Sequence, residues 1–302
     1  MKKLNLLLGI LIGMIIISCS SDDATENNNS EKKLTRITYQ NLSDQSQYTL
    51  NITYDNNNNL TEVTSNGQLI QKYTYNSLNK VIGYSLYNYE NQILSFEENL
   101  SIAYNIDNKI SNLIEIFISY NPDGNISNES STNHNITYGN NSIMRLSDDF
   151  ANTKIEYTLS NNLFTGIKVY RNSILKSDMT FTYDAGGNCI SGIGPIDEGS
   201  LDSTTNDIEL SVLYGTEEKN TVFNAFFDFN ILTRTSFYNI RQTLINQQGD
   251  KYVEQIQWYQ YSDYSYKETN DNLFDSDGYI ISRTLSDFPD YPNNSMITYT
   301  WE

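Results

Sequence analysis

The sequence predicts an all-β protein, an antiparallel meander of hairpins that forms a large curved sheet or a partly closed barrel. Two observations carry this prediction: short strand-like segments recur along the chain, and a residue that tolerates positive φ follows most of them at a fixed distance. Composition agrees, because 13% of the 302 residues are aromatic and 38% are hydrophobic. The aromatic content is too high for a disordered chain, and the hydrophobic content is too low for a bundle of membrane-spanning helices.

The strand-like segments share the pattern apolar-Thr-Tyr. They occupy residues 37–39, 52–54, 136–138, 181–183 and 297–299, with close variants at 73–75, 102–104, 118–120 and 155–157. Side chains two residues apart lie on the same face of a strand. Each segment therefore places an apolar side chain and a tyrosine on one face and a polar or small side chain on the other.

Turns are predicted four residues after the last aromatic residue of each unit. Counted from Tyr54, Tyr75, Tyr104, Tyr120, Tyr157, Tyr183 and Phe274, this position is Asn58, Asn79, Asn108, Gly124, Asn161, Gly187 and Gly278. Asparagine and glycine accept positive φ at low cost, and an apolar residue or cysteine follows two residues later, as expected for a return strand. We interpret these seven residues as structural turn positions.

One segment interrupts the repeat and predicts a short helix at 216–232. Glu217 and Glu218 come first, and Val222, Phe223 and Phe226 follow at helical spacing. The helix would cap an open end of the sheet.

The N-terminus predicts an export signal at 1–18. Lys2 and Lys3 precede an apolar stretch at 4–17 that is about 21 Å long as a helix, short of the roughly 30 Å bilayer core. The sequence at 16–19 resembles the lipobox of bacterial lipoproteins, which implies lipid attachment at Cys19. Residues 19–33 predict a disordered acidic tether, and 34–302 a single β-hairpin-repeat domain.

Two further resemblances concern the repeat and the tether. The turn units at 120–125 and 183–188 resemble the YD repeats of RHS-type proteins. With the lipobox and tether, the chain is similar to a family of bacterial lipoproteins catalogued as a domain of unknown function with a porin-like fold. Asp22 and Asp23, soon after Cys19, resemble the signal that exports some lipoproteins to the cell surface. These resemblances imply an outer-membrane, cell-surface location.

Motifs for catalysis or metal binding are not evident. The single histidine, His134, follows a polar stretch and is interpreted as a solvated loop residue, and Cys189 as a small buried hydrophobe. The acidic turns at 121–124 and 275–278 lack the glutamate that completes a calcium loop. We therefore predict no enzyme activity, no catalytic residue, no metal and no cofactor.

Charge and location restrict the partners. A formal charge of -18 makes nucleic acid an unlikely ligand on electrostatic grounds. The expected contacts are the membrane, through the lipid anchor, and a glycan or a surface protein, with the protein itself a monomer. The leading hypothesis is a non-enzymatic binding or structural lipoprotein. Two alternatives stay open: a surface glycoside hydrolase with an unidentified carboxylate pair, and an integral outer-membrane barrel.

Overall fold

A computed structural model describes residues 32–196, 206–218, 232, 251–260, 264–286 and 295–302. In these residues 18 strands form one antiparallel sheet. The strands are β1 (Leu34–Asn41), β2 (Gln47–Tyr54), β3 (Leu60–Ser65), β4 (Gln68–Tyr75), β5 (Val81–Glu90), β6 (Ile93–Tyr104), β7 (Ile110–Tyr120), β8 (Ile126–Tyr138), β9 (Ser142–Ser147), β10 (Lys154–Ser160), β11 (Leu163–Arg171), β12 (Ile174–Tyr183), β13 (Cys189–Ile196), β14 (Asn206–Glu218), β15 (Lys251–Gln260), β16 (Tyr264–Phe274), β17 (Ile280–Ser286) and β18 (Ser295–Trp301). The predicted all-β antiparallel meander is confirmed.

The predicted helix at 216–232 differs from the structure at its start. Thr216 and the two residues after it belong to β14, the strand that also carries buried Leu210 and Val212. Residues 219–231, where the rest of the helix was expected, lie outside the described residues. In the described part of the chain, no helix is long and apolar enough to cross a bilayer.

Contacts divide the chain into two compact units. The first unit comprises residues 1–60, 182–192 and 209–302. In it β1 lies between β2 and β18, so that the first and last strands are neighbours, the pairing that a barrel-type sheet requires. Ile37 is opposite both Leu50 and Tyr299, and the rings of Tyr39 and Tyr48 stack with centroids 5.3 Å apart.

The second unit comprises residues 61–181 and 193–208. From β3 to β12 each strand pairs with the next strand in the chain. Its apolar core includes Leu113, Ile155, Tyr157, Ile167 and Met179, which have no exposed surface. Burial of each such side chain stabilises the fold by roughly 1.5–3 kcal/mol, which accounts for the alternating sequence pattern.

Aromatic side chains join the two strands of a hairpin at the end opposite its loop. In the second unit Tyr104 Oη donates to the Val81 carbonyl at 2.8 Å, and Tyr138 Oη donates to the Ile110 carbonyl at 2.9 Å. In the first unit Tyr54 Oη donates to Leu34 at 2.8 Å, and Trp301 Nε1 donates to Ile280 at 2.7 Å. The recurring tyrosine thus fixes strand register as well as filling the core.

Candidate functional site

The predicted turn residues lie where the chain reverses. Positive φ occurs at all seven of them: Asn58, Asn79, Asn108, Gly124, Asn161, Gly187 and Gly278. In the first of these turns the Asn58 amide donates to the Asp55 carbonyl at 3.1 Å. Cys19 lies outside the described residues, so lipid attachment stays a prediction.

An acidic or amide side chain at the first turn position also organises these loops, and sequence reasoning missed it. Asp55 Oδ1 accepts from the backbone amides of Asn57 at 2.8 Å and Asn59 at 2.9 Å. The same two bonds recur at Asn76, Asn105, Asp184 and Asp275. The signal was present in the sequence, because Asp or Asn directly follows the aromatic residue of each of these units.

The turn at Asn161 belongs to a different class. Asn161 and Asn162 both have positive φ, 51° and 64°, which is the two-residue type I′ geometry. Tyr157 lies within β10 and has no exposed surface, three residues before the turn begins. The spacing from Tyr157 to Asn161 is the same as in the other units, but the loop of this unit is shorter than theirs.

The acidic turn at 275–278 is occupied by a lysine ammonium. Lys32 Nζ lies 3.0 Å from Asp275 Oδ2 and 2.6 Å from Asp277 Oδ2. The hydrogen bond from Lys32 holds the pKa of the Asp275 carboxyl below its usual range. No group of three His, Cys, Asp or Glu side chains suited to a metal ion occurs among the described residues.

His134 is not a solvated loop residue, and that prediction is wrong. It lies in β8, is 1% exposed, and is opposite Leu113 and Ser147 on the two neighbouring strands. The polar residues before His134 belong to the same strand, since β8 begins at Ile126. The first residues of β8 are exposed. The polar, exposed residues at the start of β8 therefore gave no indication in the sequence that His134, near its end, is buried.

The histidine links three strands through a buried hydrogen-bond cluster. Its Nδ1 lies 2.7 Å from Ser147 Oγ, and its Nε2 lies 3.2 Å from Glu115 Oε2. A serine, histidine and carboxylate in series is the arrangement of a nucleophilic relay, but a nucleophile must reach its substrate. Because Glu115 and Ser147 are also more than nine-tenths buried, the cluster holds β7, β8 and β9 together.

Replacing His134 with leucine should destabilise the protein by about 3 kcal/mol, because Glu115 and Ser147 would be left buried with a hydrogen bond removed from each. Chemical denaturation measures the loss. A double variant, His134→Leu with Glu115→Leu, should recover much of it, since both partners are then apolar. Parent-like stability of His134→Leu alone would contradict this account.

Cys189 is the other side chain that could act as a nucleophile. It is fully buried, and burial raises the pKa of its thiol to about 12. A thiol that stays protonated at neutral pH is a poor nucleophile, so its environment is that of a small core residue.

A cavity of about 500 Å³ lies within the first unit, between β14, β15 and β16. Its polar lining consists of Thr216, Glu254, Gln255, Thr269, Asn270, Asp271 and Asn272, and its apolar lining includes Leu213, Tyr252 and Phe274. The rings of Tyr252 and Phe274 are in contact, with centroids 5.1 Å apart. Aromatic, amide and carboxylate groups therefore converge on one opening.

β15 and β16 pair from Gln255 opposite Thr269 to Gln260 opposite Tyr264. The lining residues Glu254 of β15 and Asn270 and Asp271 of β16 lie beyond this paired segment. Both carboxylates, those of Glu254 and Asp271, line the same cavity.

Two cations donate hydrogen bonds to residues of this lining. Arg283 Nε donates to Asn272 Oδ1 at 2.7 Å, and Asn272 Nδ2 donates to the Val253 carbonyl at 3.1 Å. Lys251 Nζ donates to the Thr216 carbonyl at 2.7 Å. These bonds fix the walls of the cavity.

No protein-family model matches the chain, and no curated protein matches it. Among solved structures it is similar to a porin-like protein from Bacteroides vulgatus, at 10% identity and a TM-score of 0.48, over 90% of this chain and 99% of that one. A porin-like protein from Bacteroides uniformis matches at 11% identity and a TM-score of 0.33, over 89% and 96%. Membership of the YD-repeat lipoprotein family stays a prediction.

Proposed function

We propose that the protein is a lipoprotein, anchored to the outer membrane through Cys19 and displayed on the cell surface, that binds a glycan without chemically altering it. The observation that carries the binding role is the cavity between β14 and β16, where amide, carboxylate and aromatic groups meet. Sugars are recognised by this combination, since polar groups orient the hydroxyls and rings pack against the C–H faces.

Support for a lipid anchor comes from the polar face of the first strands. Arg36 Nε donates to Asn51 Oδ1 at 3.3 Å, and the hydroxyls of Thr38 and Thr49 are 3.3 Å apart. These side chains alternate with buried Ile37, Tyr39 and Leu50, so the hydrogen-bonding groups occupy the face away from the core. A face of this kind is suited to water, and attachment to a membrane is then the task of Cys19.

The hydrolase alternative draws on the two carboxylates in the cavity lining. Glycosidases place two carboxyl groups on either side of the scissile bond, about 5–10 Å apart and both facing the sugar. Glu254 and Asp271 both line the cavity, so variants at these two positions distinguish turnover from binding alone.

A panel of polysaccharides and surface proteins, screened against the purified lipoprotein with product analysis, tests the proposal. We expect saturable glycan binding with no products. Glycan cleavage that is abolished by Glu254→Gln or Asp271→Asn would establish the hydrolase instead. If a surface protein binds and no glycan does, the function is protein recognition instead of glycan binding.

A further inference from the structure

We propose that the cavity between β14 and β16 takes an uncharged saccharide, whose hydroxyls donate to Asn270 Oδ1 and to the Glu254 carboxylate. This inference rests on the proposed binding function and deepens it, because it names the ligand class and the residues that select it. Three features of the lining carry it: a buried acceptor, a carboxylate that has room beside a glycine, and a second carboxylate.

The buried acceptor is the side-chain oxygen of Asn270. Asn270 is 4% exposed, and its Oδ1 has no hydrogen-bond partner among the described residues. Nearly all buried polar atoms in folded proteins are hydrogen-bonded, and an unsatisfied one marks a place where a donor is expected. A ligand that enters the cavity with a hydroxyl can supply that donor.

The carboxylate is that of Glu254, which lines the same cavity as Asn270. On the neighbouring strand, a Cβ placed on Gly215 would come within 2.7 Å of Glu254 Oε1. Glycine at this position therefore leaves the space that the carboxylate occupies. Two acceptors in one cavity, an amide oxygen and a carboxylate, favour a ligand that is rich in donors.

The remaining walls select against negative charge. The lining carries two carboxylates, Glu254 and Asp271, and neither Arg283 nor Lys251 is among the lining residues. Leu213 is 57% exposed and, with Phe274, gives the cavity an apolar side for the C–H face of a sugar ring. An uncharged saccharide meets these conditions, whereas an acidic one would face two carboxylates of like charge.

The test measures binding of two probe sets to the full lipoprotein in detergent by calorimetry. The neutral probes are gluco-, manno- and galacto-oligosaccharides, and the acidic probes are oligogalacturonate and chondroitin sulfate. We expect saturable binding of a neutral probe, and affinity for it that falls at least about tenfold in Asn270→Leu and in Gly215→Ala. Asp107→Asn, in an exposed turn of the second unit and outside the cavity, is the control and should bind as the parent does.

Thermal unfolding separates a binding role from a structural one. Leucine at position 270 removes an unsatisfied polar atom, so Asn270→Leu should keep or raise the Tm while it loses the ligand. Parent-like affinity in both variants, or tighter binding of an acidic probe, would overturn the site assignment while glycan binding itself stands. If neither probe set binds the parent, both this inference and the proposed function are wrong.

Discussion

Replacing Cys19 with serine should release the protein from the membrane fraction. The lipobox resemblance implies that the Cys19 thiol carries a diacylglycerol and that the new N-terminus carries a further chain. Burial of acyl chains contributes ~0.8 kcal/mol per CH₂, so three acyl chains anchor a protein stably. A protein without acyl chains has no such anchor. We expect Cys19→Ser to lose acyl labelling completely and to move from the detergent phase to the aqueous phase.

Two outcomes of that experiment distinguish the alternatives. An integral outer-membrane barrel would stay in the membrane fraction as Cys19→Ser, because its strands would hold it there. The matched control replaces Asp22 and Asp23 with asparagine and leaves the cysteine intact. That variant should keep acyl labelling and membrane partition, while it loses accessibility to protease added to intact cells.

Replacing Gly194 with alanine should destabilise the second unit by about 3 kcal/mol or more, because strain and steric overlap combine. Gly194 has φ +149°, and a Cβ there would lie 2.0 Å from the carbonyl oxygen of Asp178. It would also lie 3.1 Å from Met179 Cα, so the obstruction is the backbone of β12 and no side chain can rotate away. Denaturant titration of the purified protein measures the change.

Gly67→Ala is the matched control for that variant. Gly67 also has positive φ, +78°, in the turn between β3 and β4, but a Cβ there would meet nothing within 4 Å. Its cost is the left-handed backbone alone, about 1–2 kcal/mol. Equal losses of stability for the two alanine variants would mean that the Asp178 carbonyl does not restrict position 194.

Local features of the fold were accessible from the sequence, because they depend on residues close together in the chain. The spacing from Tyr54 to Asn58 predicts a turn since few residues other than asparagine and glycine adopt positive φ cheaply. The same spacing at Tyr157 predicts the turn position and the start of the return strand at Leu163, but the strand before the turn continues to Ser160. Spacing defines where φ is positive and does not define how many residues the loop contains.

Burial of polar side chains was not accessible, because it depends on strands that pair from a distance. His134 is buried by contacts with Glu115 and Ser147, which are 19 and 13 residues away. Asn270 stands in a polar stretch of β16 that is typical of an exposed strand, yet it is 4% exposed. Neither position differs locally from a solvated one.

The contact of Lys32 with the turn between β16 and β17 determines how far the first unit can stand from a bilayer. Lys32 is held by Asp275 and Asp277, and its backbone amide lies 3.3 Å from Tyr279 Oη. With the lipid on Cys19, the linking chain can span at most about 45 Å at roughly 3.5 Å per residue. The proposed anchor would therefore keep that turn within about 45 Å of the bilayer.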